Sequence, residues 1–149
     1  MAGDTAVRPV RPGDRDAWEP LWQGYLNFYE ASLAADVTNA TWQRFFDPLE
    51  PLGAFVAERG GRLIGFAHYL LHRSTWAPVC YCYLEDLFVE PSARGSGAGR
   101  ALIAAVEAAG REAGASRLYW MTHETNLTAQ NLYNQVAERP GFVQYRKKL

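Results

Sequence analysis

Residues Leu84 to Ile103 run Leu-Glu-Asp-Leu-Phe-Val-Glu-Pro-Ser-Ala-Arg-Gly-Ser-Gly-Ala-Gly-Arg-Ala-Leu-Ile, and no other segment limits the possible folds as much. An extended apolar run enters a turn with glycine at 95, 97 and 99, and a helix begins within it. A tight strand-to-helix connection requires a positive φ, but that need alone does not repeat glycine at every second position. Such a turn presents unpaired backbone N–H groups at the positive end of a helix dipole, which is an anion site. Glycines let phosphate oxygens reach the backbone, and Arg94 and Arg100 add positive charge. Two familiar phosphate loops do not fit. A P-loop ends in Gly-Lys-Ser/Thr, whereas Gly99 is followed by Arg100-Ala101. In the dinucleotide pattern G-x-G-x-x-G, the third glycine falls on Arg100 or Leu102, depending on where the pattern is started.

The remaining chain supplies elements around this turn. Val7–Arg11 alternate as a short strand, and Pro12-Gly13-Asp14 turn into a helix over Ala17–Tyr29. That helix has a broad aromatic face formed by Trp18, Leu21, Trp22, Tyr25, Leu26 and Tyr29. A second helix is expected from Thr38 or Asn39 to Phe46, stopped by Asp47-Pro48. Extended segments follow at Gly53–Arg59, Arg62–His72 and Val79–Val89, with Gly60-Gly61 marking a two-residue hairpin between the first two. An alanine-rich helix then opens near Gly97 and ends at Gly114. Arg117–Thr122 reads as a buried strand, Thr128 caps a helix running to about Glu138, and Phe142–Lys148 reads as a last strand. The order predicts one α/β (α+β) domain over residues 1–149, with a mixed central sheet flanked by helices.

Composition narrows the function. A chain of 149 residues, 48% hydrophobic, buries a core without staples. Fifteen basic against sixteen acidic side chains leave no global field for nucleic acid or anionic lipid. No run approaches the ~18 apolar residues of a membrane span. The start, Met1-Ala-Gly-Asp-Thr, has neither the basic nor the apolar region of a secretion leader. Cys80 and Cys82 stand too close for an unstrained bridge and read as buried thiols in a reducing compartment, so a cytoplasmic location is expected. His68, His72 and His123 lack a convincing further ligand, and no metal is expected.

Arg94 to Gly99 matches R/Q-x-x-G-x-G/A, and Asn126-Leu-Thr-Ala-Gln-Asn-Leu-Tyr133 matches N-x-x-A-x-x-L-Y. Together these resemble the two motifs of the GNAT N-acetyltransferases, and the element order is similar along nearly the whole chain. Tyr81–Val89, Trp120–Asn126 and the ending Gly141-Phe-Val-Gln-Tyr-Arg-Lys-Lys are similar to the histone/polyamine and spermidine/spermine-type branch. Gly141-Phe142 follows the tyrosine helix after a longer connection than many members have.

The resemblance implies a fold, a co-substrate and a set of residue roles. The backbone of Leu87, Phe88 and Val89 would bind the pantetheine arm and acetyl carbonyl of acetyl-CoA. The amides of Arg94, Gly95, Ser96, Gly97, Ala98, Gly99 and Arg100 would hold its pyrophosphate, and Asn126 would contact it from the next strand. Tyr133 taken alone reads as a core or rim residue of an amphipathic helix; the resemblance makes it a cofactor contact and the general acid for the leaving thiolate. An alkyl ammonium must lose a proton before it can attack, and Glu85 is the candidate base, with a partly buried structural carboxylate as the other reading. Alternation puts Asp86 on the opposite strand face in a structural role.

Tyr25, Tyr29, Glu30 and Glu85 form the candidate acceptor site, with Phe28, Asp36 and Trp42 as further members of an aromatic and acidic wall; the same aromatics read equally well as core. The expected activity is direct transfer of acetyl from acetyl-CoA to a primary amine. The acceptor would be a polyamine, diamine or basic amino acid first, and a lysine side chain or protein N-terminus second. A non-catalytic acyl-CoA sensor or assembly subunit is the rival. No nucleic-acid or membrane partner is expected, and strand exchange among relatives suggests a homodimer through Phe142–Lys148.

Overall fold

The computed structural model describes residues 3–149; Met1 and Ala2, part of the segment read above for a leader, lie outside the described residues. Strand β1 (Ala6–Pro9) is followed by a single 3-10 turn, helix α1 (Arg15–Phe28) and helix α2 (Ala35–Arg44). Three long strands come next, β2 (Leu52–Arg59), β3 (Arg62–His72) and β4 (Tyr81–Val89). Helix α3 (Ala98–Glu112), strand β5 (Leu118–Tyr119) and helix α4 (Leu127–Val136) complete the order. The strands lie side by side in chain order, antiparallel from β1 to β4 and parallel from β4 to β5. This is the mixed sheet that the sequence predicts. Gly60 and Gly61, both at positive φ, close the β2–β3 hairpin in the register Arg59↔Arg62.

Each face of the sheet carries its own core. On one face α1 and α2 cover β2, β3 and β4 through Trp18, Leu21, Trp22, Leu26 and Trp42, which meet Val56, Phe66 and Phe88. On the other, α3 lays Leu102, Ile103 and Val106 over Ala57, Ala67, Cys82 and Leu84. Leu102 and Val106 are wholly buried, and truncating such a leucine to alanine costs about 2–5 kcal/mol.

Strand β4 serves both faces because its alternation slips once. His68 pairs with Asp86 and Tyr69 with Leu84, so Glu85 is an extra residue opposite none, a β-bulge. Before the bulge, Cys82 and Leu84 face α3; after it, Leu87 and Val89 do, while Phe88 joins the α1 side.

Two expected strands come out differently. Arg117–Thr122 was expected as a buried strand, but only half-buried Leu118 and Tyr119 pair, with Cys82 and Tyr83. Beyond Tyr83 the bulge takes β4 out of line, and the ladder stops. Phe142–Lys148 forms no strand, and Phe142, Val143 and Tyr145 are exposed. Their alternation needs a neighbouring backbone to act on, and among the described residues they find none. The thiol pair also divides: Cys82 is buried, whereas Cys80 precedes the strand and is half-exposed. Burial pushes the Cys82 thiol up to about 11, which removes it from nucleophilic chemistry near neutrality.

Candidate active site

The short β5 leaves β4 without a strand partner on that side from Leu84 onward. Backbone groups along this stretch therefore face a cleft instead of a ladder, as a bound extended group would require. The cleft holds a cavity of about 20 Å³ lined by Tyr25, Tyr29, Leu84, Glu85, Leu87, Trp120, Met121 and Tyr133. Glu85 and Tyr133, assigned from the sequence as base and acid, thus share one small cavity with two of the predicted acceptor-side tyrosines.

Three elements bring these groups together. The bulge turns Glu85 out of β4. Helix α4 starts where the Asn126 side chain accepts the Ala129 N–H at 3.3 Å, so Asn126 is the cap, in place of the predicted Thr128. Tyr133 lies along that helix and meets Trp120 edge-on at 5.5 Å. From the α1 side, Tyr25 and Tyr29 pack edge to face at 5.1 Å.

Electrostatics separate the roles. Burial, and then the charge of Asp86, raise the Glu85 carboxyl above the ordinary glutamate range, which makes its carboxylate a better proton acceptor. Burial, with a smaller effect from Tyr29, pushes the Tyr133 phenol up to about 12, so it keeps its proton across the physiological range. Tyr25 is raised further, by burial first and then by the Asp86 carboxylate it faces.

Below the cleft lies the glycine turn. Gly95 and Gly97 adopt φ of 79° and 85°, and a Cβ at either would meet nothing within 4 Å, so the turn is an open cradle. Gly97 caps α3, and the first helical N–H to find a carbonyl is that of Ala101, bonded to Gly97 O at 3.0 Å. The amides ahead of it in the first turn have no intrahelical acceptor and add to the dipole's positive end. These features fit a pyrophosphate.

The two arginines beside the turn make contacts of their own. The Arg94 amide bonds Pro91 O at 3.3 Å, and its exposed side chain folds back over the end of β4, where Nε donates to Val89 O at 3.0 Å. Its guanidinium lies over Phe28 and Phe88 at 5.9 and 5.7 Å. Arg94 therefore ties the turn to β4 and α1, and its charge, unpaired by any carboxylate among the described residues, stays beside the loop. Arg100 donates to Gln135 of α4.

Several acceptor candidates sit elsewhere. Trp42 is buried in the α1–α2 core. Glu30 occupies a left-handed position just after α1 (φ 53°) and is exposed. Asp36 accepts the Val37 N–H at the start of α2, and Phe28 lies under Arg94. None of these four lines the cavity. Conversely, Leu84, Trp120 and Met121 line it without having been assigned a role from the sequence. No helix among the described residues is long and apolar enough to cross a membrane, and no three His, Cys, Asp or Glu side chains among them group as a metal site.

A larger groove of about 340 Å³ lies between α1 and the β2–β3 hairpin, lined by Arg8, Asp14, Glu58, Arg62 and Glu90 among others. Its charges pair with one another, Arg8 with Asp14 at 2.8 Å and Glu58 at 3.0 Å, and Arg62 with Glu90. Size alone does not make it the reactive site.

Comparison with known proteins bears on this geometry. Residues 16–137 match the family model described as Acetyltransferase (GNAT) family. The D-amino-acid N-acetyltransferase HPA3 of Saccharomyces cerevisiae is 37% identical over 143 residues, covering 95% of this chain and 89% of that protein. The thialysine N-epsilon-acetyltransferase of Bos taurus is 33% identical over 110 residues, 74% of this chain and 55% of that one. Among solved structures, AAC(6')-Iy in complex with the bisubstrate analog CoA-S-monomethyl-acetylneamine superposes with a TM-score of 0.85 at 22% identity, over 99% of both chains.

Proposed function

The chain belongs to the acetyltransferase (GNAT) family and is an acetyl-CoA-dependent N-acetyltransferase, and on that premise we propose that its acceptor is a cationic amine of the polyamine, diamine or basic amino acid class. The observation that carries the proposal is the lining of the cleft: one carboxylate, three tyrosines and a tryptophan, with no lysine, arginine or histidine among the lining side chains. Such a wall suits an ammonium group by charge and by cation–π contact. The thialysine N-epsilon-acetyltransferase is a relative named for a basic amino acid. The D-amino-acid enzyme keeps amino acids in view beside the polyamine branch suggested by the sequence. Lysine side chains and protein N-termini stand second.

In this reading the ammonium enters against Tyr25 and Tyr29 and gives a proton to Glu85, directly or through one water. The freed lone pair attacks the thioester carbonyl, which is held along the backbone of Leu87, Phe88 and Val89. A C–N bond forms and the C–S bond breaks; the Tyr133 O–H hydrogen-bonds the departing sulfur, and the second proton of the attacking nitrogen ends on the thiolate. The product is an amide and free CoA thiol, and Tyr133 remains a phenol. The turn from Gly95 to Arg100 holds the pyrophosphate, and Asn126 borders the coenzyme where it caps α4. Holding both reactants in one cleft supplies much of the rate enhancement.

The two free thiols, Cys80 and Cys82, support a cytoplasmic setting. Exposed Phe142, Val143 and Tyr145 support a homodimer in which the last segment pairs with a second copy. Light scattering of the full chain and of a variant ending at Arg139 tests the dimer.

The acceptor proposal is tested by CoA thiol release from acetyl-CoA with spermidine, diaminobutyrate, lysine, a D-amino acid and an aminoglycoside, against an amine-free blank. Release confined to acceptors with a second positive charge supports it. Equal turnover of neutral-tailed amines counts against it.

A further inference from the structure

Beside the cleft, a chain of hydrogen bonds crosses three elements. The indole Nε1–H of Trp18 on α1 donates to Nε2 of His68 on β3 at 3.1 Å, and His68 Nδ1 meets Asp86 Oδ2 on β4 at 2.9 Å. Trp18 is fully buried and His68 nearly so. An indole nitrogen only donates, so Nε2 must accept and the imidazole proton sits on Nδ1. His68 is thereby fixed as the neutral tautomer whose remaining N–H points at Asp86. Its ring has no room to turn, with Phe66 at 4.4 Å, Phe45 at 4.7 Å and Trp22 at 5.4 Å.

The position of this chain matters. His68 and Asp86 are register partners, and the extra residue of the β4 bulge, Glu85, immediately precedes Asp86. A bulge re-aims a side chain only if the strand is held on both sides of it. Leu84, buried against α3, holds one side, and the His68–Asp86 bond holds the other.

We propose that Trp18 and His68 are positioning residues for the acceptor site: through Asp86 they anchor β4 just past the bulge and so hold Glu85 turned into the cleft. The inference rests on Glu85 being the base, and the test separates the two. The other groups facing this carboxylate pair are the phenols of Tyr25 and Tyr29 from α1, Tyr83 from β4, Tyr119 from β5 and Tyr133 from α4, with Arg146 beyond Tyr83. All but Arg146 are uncharged near neutrality, so the charge felt by Glu85 comes chiefly from Asp86.

Two histidine replacements distinguish position from mere packing. Asn places its amide N–H where Nδ1 stands and keeps the bond to Asp86; Gln reaches Trp18 and gives up Asp86. His68→Gln is expected to lower kcat on the order of 10- to 100-fold with the acetyl-CoA KM unchanged, the cost of a base misplaced by about an ångström. His68→Asn is expected to stay within about threefold of the parent enzyme. Asp86→Asn still accepts from His68 and should retain most of kcat, while the acid limb of the pH–rate profile moves to lower pH, because Glu85 no longer faces a negative neighbour. Glu85→Gln should abolish that limb.

If Glu85→Gln keeps both activity and limb, the base assignment fails and takes the inference with it. If Glu85→Gln is inactive but the two His68 variants fall equally or not at all, the base assignment stands and the positioning role is overturned. Should neither His68 variant fold, Asp86→Asn decides: kcat retained with a displaced limb supports the role, and a loss as deep as that of Glu85→Gln, or an unmoved limb, refutes it.

Discussion

Replacing Tyr133 with phenylalanine removes one hydroxyl and leaves the ring. The edge-on contact with Trp120 at 5.5 Å is an interaction of rings and survives, so stability should move by no more than about 0.5 kcal/mol. The catalytic loss follows from the acidity of the phenol. Burial pushes Tyr133 up to about 12, whereas a thiol ordinarily titrates near ~8.5. Full proton transfer to the leaving thiolate is then uphill by roughly 3.5 units, about 5 kcal/mol. The gain available is a hydrogen bond to a developing anion, worth about 1.5–3 kcal/mol, or about 10- to 150-fold in kcat.

The assay is steady-state CoA release at saturating acetyl-CoA and acceptor, with coenzyme affinity from calorimetry and Tm from a thermal melt. A tens-fold fall in kcat with affinity and Tm unchanged is expected. A loss under about threefold would remove Tyr133 from the reaction, while a loss beyond about 10³ at unchanged affinity would mean that proton transfer is complete and that burial does not weaken the acid as derived. The pH dependence checks the same point. A group at about 12 stays protonated to roughly pH 11, so ionisation of Tyr133 should produce no alkaline fall in the parent enzyme at pH 8 to 10.

Three further outcomes follow from the geometry. Glu85 is held above the ordinary glutamate range by burial and Asp86; kcat/KM for the acceptor should therefore rise with pH through an acid limb lying above that range, and Glu85→Gln should lower it by about 10²-fold or more, read from initial rates between pH 5 and 9. Gly97→Ala meets no atom but forces alanine to φ 85°, costing about 1–2 kcal/mol; Tm should fall by several degrees and coenzyme affinity with it, while Ala104→Ser, on the exposed side of α3, serves as the control. Asp14 is held below its usual range mainly by hydrogen bonding to Arg8. A lowered folded-state value stabilises above the unfolded pKa of about 3.9 and is lost as pH falls through the folded value. The Tm gap between the parent and Asp14→Asn should be full at pH 6 and close below about pH 4; a gap that persists at pH 2 would place Asp14 in packing instead of charge.

Local chemistry made much of the architecture legible. The Arg62–His72 strand appears with the predicted bounds, since alternation and the Gly60-Gly61 turn are properties of neighbouring residues. The glycine turn was legible for the same reason, because a positive φ at Gly95 and Gly97 can be read from the residues that tolerate it. Boundaries resting on a distant partner were not. The segment Phe142–Lys148 alternates as a strand should and pairs with no strand among the described residues, and Arg117–Thr122 loses its ladder where β4 bulges.

The site divides along the same line. Sequence alone determined most of the elements, the glycine turn and the candidates proposed as acid and base, because backbone conformation and side-chain chemistry are written position by position. Only the tertiary structure decided that Arg94 folds back onto Val89, Phe28 and Phe88, that Trp42 is core while Tyr25 and Tyr29 reach the cleft, and that Glu85 is an unpaired bulge residue beside a hydrogen-bonded Asp86. These outcomes depend on which contacts the folded chain brings together, some of them far apart in sequence, such as Trp18 with His68 fifty residues away. Only close packing of the two faces on one sheet settles which partner each side chain obtains.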